Sequence, residues 1–138
     1  MKRISILALL LGGLVSFGSC EKDQDPQVVT GTGLPGTWQL ISRQCYCSPT
    51  PLPKETVTFT DSTYRFAGSN RTLFVSGFYT RAAVKTCGLP TPEPGLHLAN
   101  AVANIAPSQV QAILQGDKLV LDYGSPCDAP RDTYVRVR

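Results

Sequence analysis

Short runs in which apolar and polar residues alternate, each bounded by turn residues, limit this chain more than any other feature. Glu55-Thr56-Val57-Thr58-Phe59-Thr60 alternates strictly and places Val57 and Phe59 on one face. Asp61-Ser62 supplies turn chemistry, and Thr63-Tyr64-Arg65-Phe66 alternates again, so residues 55–67 read as a β-hairpin. Gly68-Ser69-Asn70 is the next turn. Thr72 to Thr80 is rich in β-formers, with Gly77 marking a bulge or bend. A second hairpin is written in Val110 to Leu114, Gly116-Asp117 and Leu119 to Tyr123. Thr37 to Ser42 opens the series after Pro35-Gly36, and Thr133 to Val137 closes it. Residues 96–106 fit two patterns. Leu98, Val102 and Ile105 have helical spacing, whereas Ala99, Ala101, Ala103 and Ile105 share one strand face. Eleven prolines and twelve glycines exclude a helical bundle. The expected fold is all-β, a small antiparallel up-and-down barrel of about eight short strands, with a β-sandwich as the alternative.

The first residues have a different character. Met1-Lys2-Arg3 is basic, and Ile4 to Phe17 is apolar apart from Ser5, Gly12, Gly13 and Ser16. The run is short of the roughly 20 residues a membrane-spanning helix needs, and it suits a signal-peptide core. It ends Phe17-Gly18-Ser19-Cys20, which resembles the lipobox of bacterial lipoproteins. That resemblance implies cleavage before Cys20, acylation of its thiol and new amine with palmitate-like chains, and stable attachment to a bilayer by lipid. Glu21 to Pro26 resembles the acidic surface-export signal of some Gram-negative lineages, and reads equally as a solvated linker. The chain therefore divides into a signal peptide (1–19), a lipidated Cys20 with a flexible tether (20–34) and a folded domain (35–138). The expected location is the cell envelope, lipid-anchored at the outer membrane on its periplasmic or outer surface.

An exported domain meets an oxidising compartment, so Cys45, Cys47, Cys87 and Cys127 read as two disulfides. A Cys45–Cys47 bridge spans too few residues to form without strain. Each of the two is then expected to pair with Cys87 or Cys127, which leaves two connectivities. Each cysteine adjoins prolines: Ser48-Pro49-Thr50-Pro51-Leu52-Pro53, Leu89 to Pro94, and Pro126 to Pro130. Such segments favour extended polyproline geometry and lack the N–H groups a sheet needs. If the cysteines meet, the three loops form one stapled rim. The alternative chemistry at Cys45-x-Cys47 is a redox dithiol or a metal site. No His or Met ligand accompanies it, and neither metal nor cofactor is expected.

Nothing else in the sequence composes a catalytic set, and no enzymatic activity is expected. His97 is the one histidine and lies between leucines, as a half-exposed strand residue does. The serines lack a nucleophile-elbow context. The carboxylates Glu55, Asp61, Glu93, Asp117, Asp122, Asp128 and Asp132 are scattered, and Asp128 and Asp132 bracket a loop around Arg131 as a local ion-pair or turn cluster. A net charge of +3 without a basic run implies no nucleic-acid partner.

Gly36-Thr37-Trp38 at the start of the first strand resembles the Gly-x-Trp signature of lipocalins. In that family the Trp plugs one end of an eight-stranded barrel beneath an Arg from the last strand. The resemblance implies that Arg136, in the final strand Tyr134-Val135-Arg136-Val137-Arg138, is that partner, and an Arg over the Trp38 face would be a cation–π contact. The resemblance covers residues 35–138 and is to small lipocalin-like bacterial lipoproteins. It implies a monomer whose inward residues Val57, Phe59, Tyr64, Phe66, Leu119, Leu121 and Tyr123 either line a cavity for a small hydrophobic ligand or fill the barrel as core. Two other functions are compatible with the sequence: a structural or protein-interaction module using the proline rim, and thiol or metal chemistry at Cys45 and Cys47.

Overall fold

The computed structural model describes residues 27–28, 33–46, 51–69, 73–102 and 108–137. The expected signal peptide, the lipidation site Cys20, most of the tether and Cys47 lie outside the described residues. The strands are β1 (Gln27–Val28), β2 (Gly36–Gln44), β3 (Thr56–Phe59), β4 (Thr63–Ala67), β5 (Leu73–Val84), β6 (Glu93–Asn100), β7 (Ser108–Gln115), β8 (Lys118–Asp122) and β9 (Arg131–Arg136). From β2 to β9 each strand pairs antiparallel with the next, and β2 pairs with β9. The result is a closed eight-stranded up-and-down barrel, not a sandwich. Closure leaves none of these strands with a free edge along its whole length.

The two hairpins read from alternation are present, as β3–β4 and β7–β8. Thr60 shapes the first turn, its Oγ1 accepting the Thr63 amide at 3.0 Å. The ambiguous stretch is strand as far as Asn100. Its inward residues are Leu96 and Leu98, both buried, while Ala99 is exposed, so the face of the strand is opposite to the one the alanines suggested. The expected bulge at Gly77 is absent there: the β4–β5 register shifts between Phe66 and Ala67 instead. Gly77 is needed for close approach, since a Cβ would meet the Ala99 carbonyl oxygen at 1.9 Å.

Two elements depart from the expected loops. Pro94 sits within β6 opposite Ala83. It is tolerated because β6 pairs with β7 only over Gly95 to Leu98, so its missing N–H costs no ladder bond. Past Gly95 on that side, Ile113 and Leu114 of β7 pair with β1 instead. The expected tether therefore contributes to the fold. Leu34, at its end, is fully buried in the barrel core.

The disulfide connectivity also differs from expectation. Cys87 pairs with Cys127, with Cα atoms 5.9 Å apart, so neither can pair with Cys45 or Cys47. Cys45 is likewise disulfide-bonded. Spacing in sequence carried no information on which distant loops meet. The Cys87–Cys127 bond carries the tip of the β5–β6 hairpin to the β8–β9 connection. A Cβ on Gly88 would lie 2.4 Å from Pro126 Cγ, so two of the three proline segments do share a rim. Val84, fully buried yet outside the barrel core, packs where a Gly95 side chain would stand.

One end of the barrel is solid. Trp38 is fully buried and donates from Nε1 to the Leu34 carbonyl at 2.9 Å. The Arg136 guanidinium lies 4.0 Å above the Trp38 ring, as expected from the Gly-x-Trp resemblance. It also donates to the carbonyls of Pro35 (2.8 Å) and Gly33. Val57, Phe59, Tyr64 and Leu119 pack here as core, with Phe59 and Tyr79 edge to face at 5.4 Å, and Leu121, opposite Asp132, extends the core toward the other end. Gly36 has φ +137°, and a Cβ there would approach Arg136 Nη1 to 2.5 Å. Gly36→Ala combines left-handed strain with displacement of the clamp. It should lower unfolding stability in urea by about 2–3 kcal/mol, whereas Gly116→Ala, strained but in open space, should lower it by only about 1 kcal/mol.

Candidate functional site

The opposite end is hollow. It is formed by the ends of β2, β4 and β8 and the starts of β3, β5 and β9, which surround a pocket of about 500 Å³ that opens broadly to solvent. Phe66, Val75 and Tyr123 give it apolar walls. Arg43, Glu55 and Asp132 give it a charged floor, and Cys45, Asp128 and Pro130 border the mouth. Of the seven residues expected to line a cavity or fill the core, Phe66 and Tyr123 border this space, and six, Phe66 among them, belong to the core cluster against which Tyr123 packs.

The charged floor follows from strand periodicity. On β9, Asp132, Tyr134 and Arg136 alternate inward. Glu55 precedes β3 in phase with Val57 and Phe59. On β2 the inward series Trp38, Leu40 would continue to Ser42. A register shift between Leu40 and Ser42 makes Ile41 an extra residue, exposed on the outside, and turns Arg43 inward.

Arg43 then meets two carboxylates. Its Nε donates to Asp132 Oδ1 and its Nη2 to Asp132 Oδ2, both at 2.7 Å, and Nη2 lies 3.4 Å from Glu55 Oε1. Asp132 is 2% exposed. The buried Tyr134 hydroxyl donates to Glu55 Oε1 at 2.7 Å and lies 3.5 Å from Asp132 Oδ2. The two-pronged hydrogen bond that Arg43 donates to Asp132 raises the Arg43 pKa, so the guanidinium stays charged. Burial pushes Tyr123 and Tyr134 far above the usual tyrosine range, reinforced by the negative charge of Glu55 and Asp132. Asp132 is thus a partner of Arg43, 89 residues away, and not of the Asp128–Arg131 loop to which the sequence reading assigned it. Arg131 pairs with Asp122 instead.

Asp122 shapes the mouth. Its Oδ1 accepts the Gly124 and Ser125 amides, each at 2.8 Å, and its Oδ2 accepts the Ser125 hydroxyl at 2.9 Å. Burial acts to raise its pKa, but these three donors and Arg131 outweigh that and leave it lowered. The following turn runs through a single 3-10 turn to Asp128, at φ 66°, which borders the cavity. His97 is a half-buried strand residue, paired with Thr80 and Gln109 and remote from the cavity lining.

Comparison with protein-family models, with curated proteins and with solved structures finds no match to this chain.

Two outcomes follow. Arg43→Met strands the Asp132 and Glu55 carboxylates and should cost about 3 kcal/mol in denaturant unfolding. Adding Asp132→Leu should recover much of that loss, because an apolar pair carries no desolvation penalty. In alkaline titration, Tyr123 and Tyr134 keep their protons past pH about 10, where unfolded tyrosine ionises. Folding stability is therefore full below that pH. Above it, stability falls by about 1.4 kcal/mol per pH unit for each residue until the barrel opens. Tyrosinate absorbance should show these two ionising together with loss of the near-ultraviolet circular dichroism.

Proposed function

We propose that this chain is a lipid-anchored cell-envelope lipoprotein whose lipocalin-like barrel binds a small hydrophobic ligand in its hollow half. The cavity of about 500 Å³ walled by Phe66, Val75 and Tyr123 carries the binding part of this reading. A space of that size, apolar with a few convergent polar groups, is typical of small-molecule sites. The Phe17-Gly18-Ser19-Cys20 sequence behind an apolar leader carries the anchoring part. Ligand binding fits better than an interaction module built on the proline rim, because Phe66, Val75 and Tyr123 give the pocket apolar walls beside convergent polar groups at one end of the barrel. Metal ligation by Cys45 is disfavoured by its disulfide, which leaves that sulfur without a thiolate.

Each part has its own test. Expressed in a Gram-negative host with labelled palmitate, the wild-type chain should carry label and sediment with membranes. Cys20→Ala should do neither. The soluble domain should enhance the fluorescence of N-phenylnaphthylamine with saturation at one site per chain. Val75→Trp fills the hollow and should weaken that binding by at least about tenfold, equivalent to 1.4 kcal/mol. Unchanged binding in Val75→Trp would place the probe elsewhere.

A further inference from the structure

The charges around the hollow are not balanced. Among the described residues that line it, Arg43 is the one cation, against Glu55, Asp128 and Asp132. Arg43 is committed to Asp132 through two bonds and leans on Glu55 through a longer one. Arg131, the other cation at this end of β9, is engaged with Asp122 at 3.5 Å. Glu55 receives both Arg43 and Tyr134 on Oε1, and its Oε2 receives no hydrogen bond from the described residues. Glu55 is nevertheless 9% exposed. Because no buried side-chain oxygen among the described residues lacks a partner, Oε2 is the Glu55 atom that keeps access to the open pocket, and a cation brought beside it there gains from its charge. A bound anion would instead be placed among three like charges in a space of reduced dielectric.

Resting on the reading that the hollow binds a ligand, we infer that this ligand is an apolar molecule with a cationic head, an alkyl or aryl amine. Its hydrocarbon lies along Phe66 and Val75. Its ammonium group faces Glu55 and the mouth carboxylate of Asp128, where the Tyr123 ring offers an additional cation–π surface. Arg43 is a positioning residue in this arrangement: it holds Asp132 and Glu55 in place and neutralises one of them.

Isothermal titration with three probes of one chain length, decylamine, decanol and decanoate, separates the head-group preference from hydrophobic binding. At neutral pH and low salt, decylamine should bind about tenfold or more tighter than decanol, and decanoate weakest. Asp128→Asn should reduce the decylamine advantage several-fold and leave decanol unchanged. That substitution keeps a residue that accepts the left-handed backbone at this exposed position, so it tests the proposal even if Glu55→Gln fails to fold. Equal binding of the three probes, or tightest binding of decanoate, overturns the cationic preference and leaves ligand binding intact. An amine preference that survives both substitutions overturns the assignment to these carboxylates. Failure of all three probes to bind overturns both readings.

Discussion

The seam between β2 and β9 is the contact on which the rest of the structure depends. Every other strand pair in the barrel joins chain neighbours, and short connections make those pairings cheap in entropy. The seam joins the two ends of the domain: Arg43 and Asp132 are 89 residues apart. Two arginines cross it in opposite directions. Arg136 of β9 reaches over Trp38 of β2, and Arg43 of β2 reaches Asp132 of β9. Each charged group fixes the register near one end of the seam, where a slip of one residue would turn every side chain to the wrong face.

The two clamps have opposite consequences for the interior. At the Trp38 end the guanidinium covers a large ring, and Leu34 and the core aromatics fill what remains. At the Arg43 end the inward positions carry charges in place of bulk. A carboxylate and a guanidinium hold each other at the wall and do not meet across the barrel, so the volume between them stays hollow. Ion pairs at such positions add little stability compared with apolar residues of the same size. Their place at the open end, and not within the packed half, is what leaves a pocket there.

Much of this was legible in the sequence. Strand-by-strand alternation named the all-β class, and the Trp38–Arg136 closure was expected from the resemblance of Gly36-Thr37-Trp38 to the Gly-x-Trp signature of lipocalins. The same alternation carried the cavity floor as well. Stepping back by two from Arg136 and Tyr134 reaches Asp132, and stepping back by two from Phe59 and Val57 reaches Glu55. Asp132 was instead read as a loop residue because the last strand was started too late, at Thr133, and Glu55, though placed in its strand, was counted only as one of several scattered carboxylates. Arg43 was not recoverable by counting, since the extra residue at Ile41 reverses the parity and no local signal marks that bulge. The Cys87–Cys127 pairing depends on how far the β5–β6 hairpin reaches around the barrel, and spacing in sequence does not encode that distance.

The central claim is that one half of a closed barrel is kept empty for a small molecule. Native mass spectrometry of the protein, released gently from the membranes of its expression host, tests it most directly. The account predicts a non-covalent adduct of one small molecule per chain that dissociates under mild activation and is absent from Val75→Trp. A spectrum showing the bare polypeptide alone, unchanged after incubation with excess apolar amines and alcohols, would contradict it.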